Sequence, residues 1–236
     1  MKSNEFLMEL KRLNIVTFTV SEASALLKKN QAYTSLYLHR LSKSGSIYCI
    51  LRGVYAVSGS DIWAVASSLY NPSYVTAIGA LYLHGLADQM PSRITVFNSR
   101  KSHIFNIKTP DGMYEIRFVK TSASRIYGYV SEQGIVVAEP EKAIIDMLYM
   151  PDLAPVHYVT DALSNLLGKN GQEHVNKLVE YALLMGSERL LKRLGYVLDT
   201  MGYDIHDRIR DKINKRYEPF HKQAGRRIRK WFITVD

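Results

Sequence analysis

The sequence predicts an α+β protein in two domains: a winged helix-turn-helix over residues 1–60, then a larger α+β domain over residues 61–236 with a small antiparallel sheet and a C-terminal helical bundle. Three observations carry that expectation. Residues 21–57 show two helix signals, a Gly turn and two short β-type runs around Arg52-Gly53. Residues 93–119 hold three β-rich runs, separated by the turn-like SRKS and TPDG. From residue 156 onward the apolar positions recur at helical spacing.

In the first domain Ser21 is the expected N-cap, because its hydroxyl can accept from a backbone N–H of the first turn. Glu22 suits the positive end of the helix dipole. Ala23, Leu26 and Leu27 form an apolar stripe, and Asn30 ends this helix or caps the next. Over residues 31–44, Thr34, Leu38 and Leu41 share one face by the 3.6-residue period. Ala32, Tyr33, Leu36, His39, Arg40 and Lys43 then point away from it. Gly45 suits a left-handed C-terminal position. Ile47, Cys49 and Leu51 alternate with Tyr48, Ile50 and Arg52; Gly53 allows a tight turn, and residues 54–57 return as a strand. In such a module the outward helix would carry Arg40 and Lys43 toward a groove, with Arg52 at the wing. Gln31 and Tyr33 open that helix, where side chains tend to reach base edges, and Lys28 and Lys29 precede it. These seven are the candidate DNA-binding residues. The same shape also serves as a pure protein-interaction module, and outward Lys and Arg also occur as plain solvated surface.

Beyond the wing, residues 62–70 form a helix candidate that Asn71-Pro72 breaks. Ser73 is then expected to cap a helix over residues 74–85, on the spacing of Val75, Ile78, Leu81 and Tyr82. Residues 93–98, 103–108 and 113–119 read as an antiparallel meander. Residues 134–138 form a further strand, and Pro140 starts a helix over residues 141–149. Helices follow over 157–167, 172–185, 187–201 and 205–217. The chain closes with the basic GRRIRKW and a strand-like FITV.

The chain has 236 residues and a formal net charge of +9, and 47% of its residues are hydrophobic. That content is ample for real cores, and the length suits two domains. No run of about 18 apolar residues exists, so no transmembrane helix is expected. The opening MKSNEFLMELKRLN lacks the apolar run of a signal peptide. The single cysteine, Cys49, excludes an internal disulfide and a Cys-rich zinc site. It is expected as a small buried side chain in the wing strand. A reduced, cytoplasmic protein follows as the expectation. The charge is polarised: residues 1–60 carry +5, residues 204–236 carry +5 and the stretch between them −1. Localised positive charge points to an anionic partner.

Several segments resemble the AbiEi-type family. LSKSGSIYCILRGVYAV is similar to its LxxxGxIxRLxRGVYA wing pattern. PSYVTAIGALYLHGL resembles its helix after the linker, VVAEPEKAIIDMLYMP its strand-helix segment with EKA followed by (I/L)xD, and KWFITVD its closing Trp-containing strand. The similarity runs through nearly the whole chain in the right order. Two positions depart: Cys49-Ile50 stand where a basic residue precedes the wing Leu, and Asp236 stands where the family often has Asn. These proteins are antitoxins of type IV toxin–antitoxin (abortive infection) systems and related transcriptional regulators. The resemblance implies a winged helix that binds inverted repeats in double-stranded operator DNA and represses its own promoter. It implies a C-terminal domain for antitoxin action and cooperative DNA binding. It also implies a nucleotidyltransferase-like toxin as functional partner, without a stable complex. A standalone regulator with no toxin would carry the same motifs.

No enzyme, metal site or cofactor is expected. Glu139, Glu141 and Asp146 are close in sequence, but Asp146 is five residues after Glu141 and so off its helical face. Asp111 to Glu115-Ile-Arg117 is similar to a nuclease D…ExK pattern, with Arg a poor substitute for the Lys. No nucleophile motif, phosphate loop or HExxH is present. His84, His103, His157, His174, His206 and His221 have no metal-like spacing. An alternative is an RNA binder using the basic tail. There Arg226, Arg227, Arg229 and Lys230, beside Trp231 and Phe232, are candidate contacts to nucleic acid or a partner. The plainer reading is that Trp231 and Phe232 dock the last strand.

Overall fold

Apolar spacing places the first elements. In this computed structural model, which describes residues 2–168, 170–220 and 225–235, they are α1 (Ser3–Arg12), β1 (Thr17–Thr19), α2 (Val20–Leu27), α3 (Gln31–Lys43), β2 (Ile47–Leu51) and β3 (Val54–Val57). His221 and Asp236 lie outside the described residues. The chain continues through α4 (Ile62–Ser68), β4 (Ser73–Thr76), α5 (Ile78–Leu83), β5 (Arg93–Asn98), β6 (His103–Thr109), β7 (Gly112–Lys120), β8 (Tyr129–Glu132) and β9 (Ile135–Ala138). It ends with α6 (Pro140–Tyr149), α7 (Val156–Leu167), α8 (Gly171–Met185), α9 (Glu188–Thr200), α10 (His206–Ile209), β10 (Glu218–Pro219), β11 (Arg226–Ile228) and β12 (Ile233–Val235). The protein is therefore mixed α+β. It divides into two units: Met1–Val75, Ser92–Thr121 and Ser131–Val137 form the first; Thr76–Pro91, Ser122–Val130 and Ala138–Asp236 form the second.

In the first unit, β1, β3 and β2 form a three-stranded antiparallel sheet in that order. Phe6, Leu10, Phe18, Ala23, Leu27, Leu38, Leu41 and Ile47 make one core beneath it. Phe6 meets Phe18 and Tyr37 edge-on, with ring centroids 5.7 Å apart in both cases. The cap of α2 is Thr19, not Ser21. The Thr19 hydroxyl accepts from the Glu22 N–H and the Glu22 carboxylate accepts from the Thr19 N–H. A reciprocal capping box needs its acid three residues after the cap, which selects Thr19 over Ser21. Asn30 caps α3 by accepting from the Tyr33 N–H at 2.9 Å. Cys49 is exposed, not buried. It lies on the edge strand β2 beside a bulge between Cys49 and Leu51, where the strand runs out past the core toward the hairpin tip.

The larger sheet corrects two expectations. Its order is β6-β7-β5-β4-β9-β8, and β4, β8 and β9 run past the limits of the first unit. β6 and β7 pair antiparallel, but β5 pairs with β7 in parallel from Arg93↔Glu115 to Asn98↔Lys120. The sheet is thus mixed and not a small antiparallel meander. The buried Asn98 explains the route: it donates to Val119 O and Lys101 O and accepts from the Arg100 and Lys101 N–H groups. The loop after β5 is thereby tied to β7, and the chain passes over β7 to form the edge strand β6. The second correction concerns residues 74–85. Residues 73–76 are strand, and all four are buried. Ala77 then takes φ 55, and only Ile78–Leu83 is helix. A short apolar run buried on both faces has no strand alternation by which to tell it from a helix.

In the second unit, α6 packs on α5, α7, α8 and α9. Every residue from Glu141 to Leu148 is buried, so α6 is the central helix. Pro140 opens it, as its position predicts. α7, α8 and α9 match the expected spans within one residue at each end. The helix expected over 205–217 shrinks to His206–Ile209, followed by a 3-10 turn at Arg210–Lys212. Ile209 is the one buried residue of those two turns, too little apolar surface to hold a longer helix. β12 pairs in parallel with β10 and antiparallel with β11. Trp231 is fully buried against α9, where a Cβ on Gly195 would sit 2.2 Å from the indole. Among the described residues, no helix is long and apolar enough to cross a membrane.

Candidate nucleic-acid interface

The candidate surface lies on the first unit and is built by α3, the turn before it and the β2–β3 hairpin. α3 buries Thr34, Leu38 and Leu41 and exposes Gln31, Ala32, Tyr33, Ser35, Leu36, His39, Arg40 and Lys43. It carries no acidic residue. Lys28 ends α2 in the left-handed region at φ 53, and only Lys29 and Asn30 separate it from α3. Arg52 is exposed at the hairpin tip, next to Gly53 at φ 79. None of Lys28, Lys29, Arg40, Lys43 and Arg52 is held in an ion pair among the described residues. Their ammonium and guanidinium groups are open to an external anion.

The face has internal order. Tyr33 stacks on Tyr37 with centroids 6.4 Å apart and an interplanar angle of 14°. Tyr37 in turn packs on the core residue Phe6, and Lys29 Nζ lies 5.9 Å from the Tyr33 ring centroid. The Tyr33 ring is thus anchored from the core outward, although 51% of the residue is exposed. Leu36, one turn on, is 52% exposed. Sequence reasoning placed Leu36 on the outward face without counting it in the site. The signal was a large apolar residue on the side opposite Leu38 and Leu41.

The acids of α6 have a different fate. Asp146 accepts from Lys142 Nζ and, at 2.7 Å, from Thr76 Oγ1, and both members of the Lys142–Asp146 pair are fully buried. Burial pushes the Lys142 ammonium down, against the opposing pull of Asp146. Glu141 lies 2.8 Å from His174 Nδ1, and Glu139 accepts from Lys177 at 3.0 Å and from Tyr181. Each carboxylate faces a side chain of its own unit. Among the described residues, no group of three or more His, Cys, Asp or Glu could hold a metal ion.

The basic tail is divided. Lys230 pairs with Asp199 at 2.6 Å and Asp204 at 3.0 Å, and Arg227 lies over the Tyr217 ring. Arg226, Arg227 and Arg229 are exposed. Trp231 donates to Asp199 and is buried, so of the two tail aromatics only Phe232 keeps some exposure.

No protein-family model matches the chain, and no curated protein matches it in sequence.

Proposed function

We propose that the protein is a duplex-DNA-binding transcriptional regulator. In this reading residues 1–60 are a winged helix-turn-helix, α3 is the recognition helix and the β2–β3 hairpin is the wing. One observation carries it: an acid-free outward helix face, flanked by Lys28, Lys29, Arg40, Lys43 and Arg52, none held in an ion pair among the described residues. The element order and the short turn between α2 and α3 support it. The resemblance of the wing, EKA and closing-strand segments supports a narrower form. The protein is then the antitoxin of a type IV toxin–antitoxin system and represses its own promoter at inverted repeats. Residues 61–236 are its antitoxin domain, a nucleotidyltransferase-like toxin is its functional partner, and the cytoplasm is its compartment. The role is binding, without turnover.

The test is a mobility-shift titration of the full chain on duplex DNA from upstream of its own reading frame, at several salt concentrations. An Arg40→Ala, Lys43→Ala, Arg52→Ala variant should bind all sequences more weakly, and its salt slope should fall by about 3, about 1 per phosphate contact. Equal binding by variant and parent overturns the assignment, as does preference for single-stranded RNA in competition. Co-expression with a neighbouring nucleotidyltransferase-like frame tests the narrower form: growth rescue supports an antitoxin, and its absence leaves a standalone regulator.

A further inference from the structure

The outward face of α3 is split along its length. Its first half exposes Gln31, Ala32, Tyr33, Ser35 and Leu36; its second half exposes His39, Arg40 and Lys43. Tyr33 and Leu36 are i, i+3 neighbours and Ala32 and Leu36 are i, i+4 neighbours, so the three form one apolar patch. A single exposed leucine is unremarkable. Here the patch stands between two sets of cations, Lys28 and Lys29 before it and Arg40 and Lys43 after it. The patch is also pre-formed, because Tyr33 is stacked on Tyr37 and held from the core.

A surface with cations at both ends and an apolar centre matches one feature of duplex DNA. Phosphates lie on the two rims of the major groove, and the groove floor is polar except for the C5-methyl of thymine. An apolar side chain at the N-terminal half of a recognition helix gains from burial against that methyl and loses against the polar edges of cytosine or guanine. We propose that Tyr33 and Leu36 are specificity-determining residues that contact thymine methyl groups. Together with Gln31, which can pair with an adenine edge, they make the preferred half-site rich in A·T pairs. The proposal rests on the DNA-binding reading above and goes beyond it by naming the base chemistry. A protein surface could also cover an apolar patch, but the flanking cations on both sides favour a partner with two anionic rims.

The experiment selects binders for the full chain from a randomised duplex pool, then replaces thymine by deoxyuridine, one position at a time, in the selected duplex. This removes the methyl and leaves the hydrogen-bonding edge intact. The pool should enrich A·T pairs, and at least one replacement should weaken binding about fourfold, the effect of one buried methyl-sized group. Leu36→Ala should bind the thymine and deoxyuridine forms of that site equally, with the salt slope of the parent. Leu36 is half exposed and outside the buried core cluster of the first unit, and circular dichroism checks the fold of the variant. Failure to bind any duplex defeats the DNA-binding reading itself. Tight binding with no thymine–deoxyuridine difference at any position defeats only the methyl contact. A change in sedimentation behaviour of free Leu36→Ala shows the patch to be a self-association surface and overturns the proposal.

Discussion

The two units hold similar numbers of cations, but the cations around α3 and those at the ion pairs of the second unit are used in opposite ways. The first has 14 Lys and Arg against 7 Asp and Glu, and the second has 17 against 15. On and around α3 the cations face no acid. In the second unit Lys142 faces Asp146, Lys177 bridges Glu139 and Glu141, and Lys230 bridges Asp199 and Asp204. Lys192 donates to Asn214 Oδ1 and Arg216 O, and Arg193 donates to Leu148 O. Burial, helped by the nearby Arg189 charge, pushes the Arg193 guanidinium down to about 10. Net charge counted along the chain therefore misleads. Residues 204–236 carry as much excess as residues 1–60, yet they belong to a unit whose acids nearly balance its cations. What marks a binding face is the availability of its charges, not their number.

The largest test of that contrast is the buried pair. Asp146→Ala leaves the Lys142 ammonium in a fully buried site without its partner carboxylate, and should cost about 3–5 kcal/mol in urea unfolding. Lys142→Met with Asp146→Leu should recover most of the loss, since paired removal takes away the desolvation of both charges. A cost below about 1 kcal/mol for Asp146→Ala would mean that the pair is no structural element. A smaller effect separates the two basic surfaces. Arg226→Glu with Arg229→Glu should leave the salt slope of duplex binding within about 1 of the parent, whereas the α3 and wing substitutions lower it by about 3. A slope change at the tail as large as that at α3 would place a second DNA contact in the second unit and erase the comparison.

The α3 surface was legible because three signals agreed: the 3.6-residue burial of Thr34, Leu38 and Leu41, Asn30 at the cap, and the glycines at positions 45 and 53 with positive φ. Local pattern decides all three. β5 and β7 were legible as strands, but their parallel pairing was not, because it joins residues 22 apart in sequence, as does the tie from Asn98 to Val119 O 21 residues on. Residues 74–76 read as the start of a helix capped by Ser73 because burial on both faces removes the alternation that marks a strand. Cys49 shows the same limit in reverse: alternation placed it inward, and it is exposed on the edge strand β2 near the hairpin tip. The i, i+4 spacing of Lys142 and Asp146 was on view in the sequence, but solvated surface pairs share that spacing, and only the surrounding helices bury this one.

The smallest effect concerns acid. Burial raises the Glu139 carboxyl, but the hydrogen bonds from Tyr181 and Lys177 and the Lys177 charge lower it further, so the net shift is downward from the usual 4.5. A carboxyl depressed in the folded state binds its proton more readily when unfolded. Its contribution to stability is full above about 4.5 and is lost as pH falls through the folded value. Glu139→Gln removes that contribution, so the gap in unfolding free energy between parent and variant should narrow as pH drops below about 4.5 and vanish when both states are protonated. The same comparison at α3 should be flat across this range, because α3 carries no carboxylate. A gap that instead widens toward acid would mean that Glu139 binds its proton more readily in the folded protein than in the unfolded one. Lys177 would then be an available cation, and the pairing of Lys177 with Glu139 would no longer count among the ion pairs that set the second unit apart from α3.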